Sequence, residues 1–367
     1  MKTFTLQSCL TALILTISLS LSAQMQAPRG SQQATVIQRV GITDITITYS
    51  RPSVRDREIW GALVPYGMNN LGFGTATASP WRAGADENTT ITFSHGVQVE
   101  GKSIAAGTYG LHLEVKPNNE ATLILSHNAT SWGSYFYDPA EDALRADISS
   151  KEAPFHELLT YEFNEVTPTT ATASLVWEKK AFPFTISVSV TDIVLSQFKK
   201  DAKGQVGFTR QNWEQAANFA LNNGGDLNEA LTWIDNAIAG QFYSQKDFNN
   251  MSIKAQILTK MGKTDKANAV MDEALGIANI FQVHQYGRTL IANGDTDKAM
   301  EVFKMNAEKN KDQWPVHYGM ARAHSAKGDY KTALKHLKIA LGNAPNDASK
   351  GRVQANIEKL EKGEDIN

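Results

Sequence analysis

The sequence places its densest group of side chains capable of chemistry between positions 51 and 87. Arginine guanidinium groups bind carboxylates through paired hydrogen bonds, and tryptophan rings provide flat faces for stacking. We therefore predict a site for a carboxylate or sugar-like ligand, composed of Arg51, Trp60, Trp81, Arg82, Asp86 and Glu87.

The same segment supports a second interpretation that needs no ligand. The arginines would then pair with nearby acidic residues, namely Asp56, Glu58, Asp86 and Glu87. Such pairs specify the position of a loop more than they stabilise it. The choice depends on whether the arginines converge on a cleft or on these carboxylates.

Histidines give weaker grounds for a metal site. His112 and Glu114 alternate onto one face of a predicted strand, and His127 ends the next strand. These three side chains would meet at a metal only if the strand register aligned them. His112 lies between two leucines, which favours a structural role, so we expect no metal and no cofactor.

Motifs for catalysis are missing from the sequence. It has no Gly-x-Ser-x-Gly elbow, no Ser-x-x-Lys and no glycine-rich phosphate or dinucleotide loop. Glu141 and Asp142 stand in a proline-containing turn, where solvated acids are expected. The sequence favours a non-catalytic protein, with a secreted hydrolase that acts on carbohydrate or peptide through the polar loop cluster as the alternative.

Composition limits the classes of partner. The chain has 367 residues, 42% of them hydrophobic, which corresponds to about two domains. Lys and Arg total 36 against 38 Asp and Glu, a formal net charge of −2. Dedicated nucleic-acid-binding proteins carry a basic excess, so we expect no nucleic-acid partner.

The first 23 residues have the layout of a secretory signal peptide. Lys2 precedes an apolar stretch over residues 10–21, and Ala23 is a small residue at a plausible cleavage point. The stretch is shorter than the roughly 20 residues that span a membrane. We expect residues 1–23 to be removed, which also removes Cys9, and the mature protein to be periplasmic or extracellular without a membrane segment.

From residue 34 to residue 190 the apolar residues mostly alternate. Residues 43–50 place Ile45, Ile47 and Tyr49 on one face, which is typical of a strand with one buried side. Residues 52–61 and 66–80 lack alternation and are expected to be long loops. Short runs of the same kind recur at 89–95, 97–99, 108–115, 121–127, 131–137, 159–166, 171–178 and 184–190. These runs predict an antiparallel β-sandwich over residues 24–195.

Beyond about residue 196 the apolar spacing becomes helical and an internal repeat appears. A glycine precedes a polar residue at Gly225, Gly262, Gly294 and Gly328, with spacings of 37, 32 and 34 residues. This period resembles the tetratricopeptide repeat, in which two helices meet at a turn. We predict an all-α, tetratricopeptide-like solenoid of four repeats over residues 205–362. It would end in a capping helix whose apolar stripe is Val353, Ile357 and Leu360.

The repeat resemblance implies that the first helix of each pair lines a concave groove. Arg288 and Arg322 are one 34-residue period apart, and so are His284 and Tyr318. These four residues predict a basic and aromatic ladder for an extended peptide or an acidic C-terminus. They do not match the Lys/Asn pattern of the tetratricopeptide carboxylate clamp. In the alternative interpretation, the two arginines pair with acids on adjacent helices.

The β half resembles an exported bacterial family called domain of unknown function 2911. The matching blocks occur in the order of the family, and they are residues 49–52, 54–61, 64–67, 81–85, 88–93 and 106–109. The resemblance implies a secreted or periplasmic β domain, sometimes followed by helical repeats, and it supplies no catalytic residues. We therefore expect an exported binding or scaffold protein whose repeats hold a protein or peptide, while the β domain holds a second ligand or supports the repeats.

Overall fold

The computed structural model describes residues 28–367, so the predicted signal segment 1–23 lies outside the described residues. The chain divides into a first compact unit that ends at Ile193 and a second that runs from Val194 to Asn367. Within residues 28–367, no helix is both long enough and apolar enough to cross a membrane.

The first unit consists of two antiparallel sheets. One sheet has the strand order β1-β2-β3-β6-β7-β8 and the other the order β5-β4-β10-β9. The strands are β1 Gln32–Val40, β2 Thr43–Arg51, β3 Ala85–Phe93, β4 Val97–Val99, β5 Lys102–Ile104, β6 Gly107–Val115, β7 Glu120–Ser126, β8 Asp142–Ser149, β9 Lys151–Val166 and β10 Thr170–Ser187. The predicted antiparallel β-sandwich is confirmed.

Alternation of apolar residues explains the packing of the sheets. Ile45, Ile47 and Tyr49 of β2 are buried in the core between the sheets, while the intervening threonines are half-buried. In β7 the consecutive residues Leu123, Ile124 and Leu125 are all buried. A strand that is buried on both faces shows no alternation, because each face meets other protein atoms.

Three of the predicted strands differ from those that the structure shows. Residues 131–137 form turns instead of a strand, since Gly133 adopts a φ of +60° that an extended chain does not use. The strand that follows β7 is instead Asp142–Ser149. Residues 171–178 and 184–190 do not form separate strands, because one long strand, β10, runs through most of both segments. Its register shifts at Glu178, which has a φ of +54°.

The second unit is a run of helix pairs. Within the described residues the α-helices are α1 Val190–Asp201, α2 Arg210–Asn223, α3 Leu227–Ile238, α4 Phe248–Lys260, α5 Thr264–Ile277, α6 Ile280–Ala292, α7 Thr296–Lys309, α8 Trp314–Ala326, α9 Tyr330–Gly342 and α10 Asp347–Glu361. The pairs α2/α3, α4/α5, α6/α7 and α8/α9 each enclose one predicted glycine corner. This arrangement confirms the helical solenoid, and α10 follows the last pair.

The corners require glycine because their backbone is left-handed. Gly262, Gly294 and Gly328 have φ values of +75°, +85° and +77°. In the first pair the left-handed residue is Gly224 at +78°, one position before the predicted Gly225. Gly225 is needed for a different reason, since a Cβ there would overlap Ala220 and Leu195.

Small residues let the helices approach closely. Ala321, Ala333 and Ala340 are fully buried in α8 and α9. Phe303 of α7 is also fully buried, and a Cβ added to Gly287 or Gly319 would overlap its ring. The first helices α6 and α8 therefore lie close together, which sets the width of the groove between them.

Candidate functional site

The β-sandwich unit contains a cleft of about 420 Å3 formed by its long loops. Three residues of the predicted ligand site line this cleft, namely Trp81, Arg82 and Asp86. Arg55 and Arg57 add two further cations to its wall. The cleft is therefore net positive, with an indole at its side.

The other three predicted residues do not line the cleft. Arg51 donates from Nε to the Leu159 carbonyl at 2.8 Å and from Nη2 to Thr160 Oγ1 at 2.6 Å, so it holds β9. Trp60 packs among the rings of Trp81, Trp177 and Phe182. Glu87 pairs with Arg29. These three side chains have structural roles.

The second interpretation, arginines paired with loop acids, is also not what the structure shows. Arg82 donates from Nη1 to the backbone carbonyl of Asp86 at 2.7 Å and lies 5.2 Å from the centre of the Tyr135 ring. Arg57 donates to the carbonyls of Ser53 and Val54. In residues 28–367, neither of these arginines forms an ion pair with the acids at 56, 58, 86 or 87. The arginines donate to backbone carbonyl oxygens instead of to the side-chain carboxylates of these acids.

Backbone strain is concentrated around this cleft. Arg55, Asp56, Ala83 and Asp86 all have φ values between +48° and +59°, in the left-handed region that non-glycine residues rarely adopt. Such conformations cost free energy and cluster at ligand sites, where surrounding contacts hold them. Two of these residues, Arg55 and Asp86, line the cleft.

The three residues that were considered as metal ligands do not meet. Glu114 pairs with Arg145, and the ring of His127 packs on Tyr109. His112 Nδ1 lies 3.0 Å from Ser134 Oγ, and both side chains are buried. Burial, with the nearby Arg82 charge, lowers the pKa of His112 to about 4. Within the described residues, no cluster of three or more His, Cys, Asp or Glu could hold a metal ion.

The repeat unit has a larger cleft of about 610 Å3 between α4 and α6. Its floor is apolar, with Ala255, Met271 and Leu290 buried. Its walls carry mainly amide and hydroxyl side chains, namely Asn222, Ser252, Gln256, Thr259, Asn268, Gln282, Gln285, Thr289 and Asn293. Gln256, Gln282 and Gln285 lie on the first helices α4 and α6 and were absent from the predicted site, although the repeat period identifies the helices that line the groove.

A second, smaller cleft of about 240 Å3 continues the first toward α8. Gln285 and Thr289 line both clefts, which makes them neighbours along one groove. The predicted residues Arg288 and Arg322 both line the smaller cleft. The groove thus runs across α4, α6 and α8 and has two guanidinium groups at its α8 end.

The predicted aromatic pair lies beneath this surface. The His284 and Tyr318 rings stack with centres 5.8 Å apart, and His284 Nδ1 donates to the Pro315 carbonyl at 3.1 Å. Burial, with Arg322 as a smaller cause, lowers the pKa of His284 to about 4. The Tyr318 hydroxyl accepts a hydrogen bond from Asn356 at 2.6 Å. These two residues support the groove instead of facing a ligand.

Neither groove arginine pairs with an acid. Arg322 donates from Nη1 to the Ile366 carbonyl at 2.9 Å and lies 5.0 Å from the centre of the Tyr318 ring. Its Nε is buried without a hydrogen-bond partner. Arg288 is exposed and, among residues 28–367, has no ion pair. The α8 end of the groove therefore keeps uncompensated positive charge.

The fold and the groove define a β-sandwich joined to helical repeats of the protein-interaction class. Residues 31–186 match the family described as protein of unknown function (DUF2911), and residues 290–357 match the tetratricopeptide repeat family. The two matches follow one another in the order that the sequence resemblance implied.

Solved structures similar to this chain include tetratricopeptide repeat proteins. YrrB, described as a TPR protein with an unusual peptide-binding site, is 16% identical, with a TM-score of 0.29, over 45% of this chain and 84% of its own. The C-terminal part of a TPR protein from Cytophaga hutchinsonii is 15% identical, with a TM-score of 0.34, over 47% of this chain and 67% of its own. A comparison with curated proteins gives no match.

Proposed function

We propose that this protein is an exported, non-catalytic binding protein whose helical repeats hold an extended segment of a protein or peptide partner. The observation that carries the proposal is the continuous groove across α4, α6 and α8, because first helices of such repeats form the surface that binds partners. Export is supported by the layout of residues 1–23.

The chemistry of the groove suits a peptide backbone. An extended segment presents an N–H donor and a C=O acceptor at each residue and needs partners for both when it is buried. Side-chain amides offer both kinds of group, and they are the main polar residues of the α4/α6 cleft. The apolar floor formed by Ala255, Met271 and Leu290 would take aliphatic side chains of the same segment.

Charge gives the groove a direction. Arg288 and Arg322 lie at the α8 end of the groove. Of the α4 residues that line the other end, Lys260 is the one with a charged side chain. Guanidinium groups bind carboxylates with fixed geometry. The partner segment would therefore place acidic residues toward α8 and neutral residues toward α4.

Display of an unbiased peptide library against the full-length protein tests this proposal. Gln256 is exposed on α4 in the groove, and Gln256→Arg would fill the cleft and abolish capture of the selected peptides. Gln354→Arg, an identical change at an exposed site on α10, would leave capture unchanged. Selected peptides that bind both variants equally would show that the groove is not the binding site.

The β-domain cleft supports a second candidate, binding of a small carboxylate with an aromatic or apolar body. Its arginines would hold the carboxylate and Trp81 the body, in a site kept rigid by strained residues. The alternative of a secreted hydrolase that acts through the polar loop cluster stays a prediction.

Titration of phenylacetate, followed by tryptophan fluorescence, tests this candidate. Arg55 is exposed at the cleft, so Arg55→Gln should weaken the fluorescence response about tenfold, while Lys179→Gln on an exposed part of β10 should not change it. An equal response in both variants would contradict a site at this cleft.

A further inference from the structure

The chain itself supplies an extended segment at the α8 end of the groove. After α10, Gly363 adopts a φ of +78° and turns the chain back. The corner repeats the hydrogen bonds of the α8/α9 corner, since Gly363 N donates to Leu360 O as Gly328 N donates to Ser325 O. No helix follows this corner; residues 364–367 run without regular secondary structure.

The segment is seated by hydrogen bonds to α8. Ile366 N donates to Ser325 Oγ at 3.2 Å, and Ser325 Oγ donates to Asp365 Oδ1 at 2.6 Å. Arg322 donates to the Ile366 carbonyl, and Asn367 Nδ2 donates to the Arg322 carbonyl at 3.1 Å. Both backbone groups of Ile366 are thus satisfied by side chains of one helix, which is how a groove holds an extended ligand.

The Ile366 side chain fills an apolar position next to these bonds. It is 4% exposed and belongs to the hydrophobic cluster that contains Ala321, Leu337 and Leu360. The segment therefore has three separate recognition elements, in the order acidic side chain, buried aliphatic side chain and amide.

The segment reaches the groove that the proposed function uses. Asn367 lines the smaller cleft together with Arg288 and Arg322, and Gln285 and Thr289 connect that cleft to the larger one. A partner that lies along the whole groove would have to occupy the place of residues 365–367 or stop beside them.

We infer that residues 365–367 occupy one end of the partner site, and that the partner is an extended segment with an acidic, an aliphatic and an amide side chain in that order, which displaces them. The inference rests on the proposed function, because it assigns a partner chemistry to the same groove. Ser325 would donate a hydrogen bond to the acidic side chain of the partner, and Arg322 would donate one to the backbone carbonyl of its aliphatic residue.

A tethered segment competes strongly with a free one. Its effective concentration is on the order of millimolar for a short connection, so a free peptide of equal intrinsic affinity binds poorly until the tethered copy is removed. The wild-type protein should bind such a peptide at least about tenfold more weakly than a variant whose own segment has lost its contacts.

The probe is a fluorescent peptide of sequence Gly-Glu-Asp-Ile-Asn, measured by polarisation with the full chain. The variant with Asp365→Gly, Ile366→Gly and Asn367→Gly should bind it at least about tenfold more tightly than wild type. Adding Arg322→Ala to that variant should abolish binding, whereas adding Lys338→Ala, at an exposed cation on α9, should not. A scrambled peptide should not bind.

Asp365→Lys provides a milder second variant, since it removes the bond from Ser325 and keeps the buried Ile366. It should give an intermediate gain in affinity. Equal binding by wild type and both variants, no binding by any of them, or equal binding of the scrambled peptide would overturn the inference. In each case, library peptides that depend on Gln256 would still support the proposed function, so the two failures are distinguishable.

Discussion

The imidazole of His284 and the phenol ring of Tyr318 stack almost parallel, with 9° between their planes. The two residues are one repeat period apart and lie on α6 and α8, so the stack joins consecutive first helices. Arg288 and Arg322, each one turn further along the same helices, line the groove instead. The repeat period thus places His284 and Tyr318 in an inner layer that fixes the spacing of the helices. It places Arg288 and Arg322 in a charged layer that would face a partner.

The buried His284 should make the stability of the repeat unit depend on pH. Its pKa is lowered to about 4 in the folded chain, whereas it is 6.5 in an unfolded one. Below pH 6.5 His284 binds a proton in the unfolded chain but not in the folded chain. The free energy of unfolding therefore falls as the pH drops from 6.5 towards about 4. The loss attributable to this residue approaches about 3 kcal/mol at the lower end.

His284→Phe keeps a ring between Phe303 and Tyr318 and removes the titrating group. At neutral pH it should cost about 1 kcal/mol, because the hydrogen bond to the Pro315 carbonyl is lost. Its urea midpoint, followed by helical circular dichroism, should fall less steeply with acidity than that of wild type. Parallel pH profiles would show that this histidine is not the cause.

Two glycines should respond in opposite directions to the same substitution. Gly319→Ala should destabilise the protein by about 1–3 kcal/mol, because its Cβ would overlap the buried Phe303 ring. Gly276→Ala, at a position on α5 with nothing near the added Cβ, should stabilise it by up to about 1 kcal/mol through helix propensity. Thermal melting of both variants checks this, and a stable Gly319→Ala would mean that the helices are less tightly packed than described.

Lys263 occupies the start of α5 without a cap. Its φ and ψ of −92° and 55° are close to those of Asp329, whose side chain caps α9 by accepting from Thr332 N. Lys263→Asp should therefore add a cap and about 0.5–1 kcal/mol of stability. Lys263→Ala is the matched control, and a variant pair with equal melting temperatures would contradict the cap.

Tyr161 connects the β core to the loop behind the cleft. Its hydroxyl donates to the carbonyl of Ala83, a residue held at a φ of +48°, over 3.0 Å. Tyr161→Phe should cost about 1 kcal/mol, because the Ala83 carbonyl then keeps only the hydrogen bond from Thr89 Oγ1 at 3.2 Å. Tyr66→Phe is the control, since that side chain is 36% exposed. Chemical unfolding followed by fluorescence measures both, and equal losses would argue against this bond.

The fold was predicted from local patterns in the sequence. The glycine period located the helix corners, and alternation located β2, because these signals depend on residues close in the sequence. The turn at residues 131–137 was mistaken for a strand because the segment is rich in aromatic residues, which are common in strands. In the first pair the left-handed residue is Gly224, while Gly225 packs against Leu195 and Ala220, and spacing alone does not distinguish the two.

The candidate sites were predicted less completely than the fold. Arg51 was assigned to a ligand, but its partners Leu159 and Thr160 come more than a hundred residues later, and only the folded sheets bring them together. Trp81, Arg82 and Asp86 reach the cleft together because they are close in the sequence, where the long loop leads into β3. The segment around Ile366 gave no sequence signal, since its role depends on where α10 ends.

Hydrogen–deuterium exchange of the full-length protein, with and without a library-selected peptide, tests the binding groove most directly. If the peptide lies in the groove, protection should increase most on the first helices α4 and α6, centred on Gln256 and Gln285, and less on the second helices α5 and α7, which contribute fewer lining residues. Protection confined to the β-sandwich unit, or spread equally over first and second helices, would contradict binding in the groove.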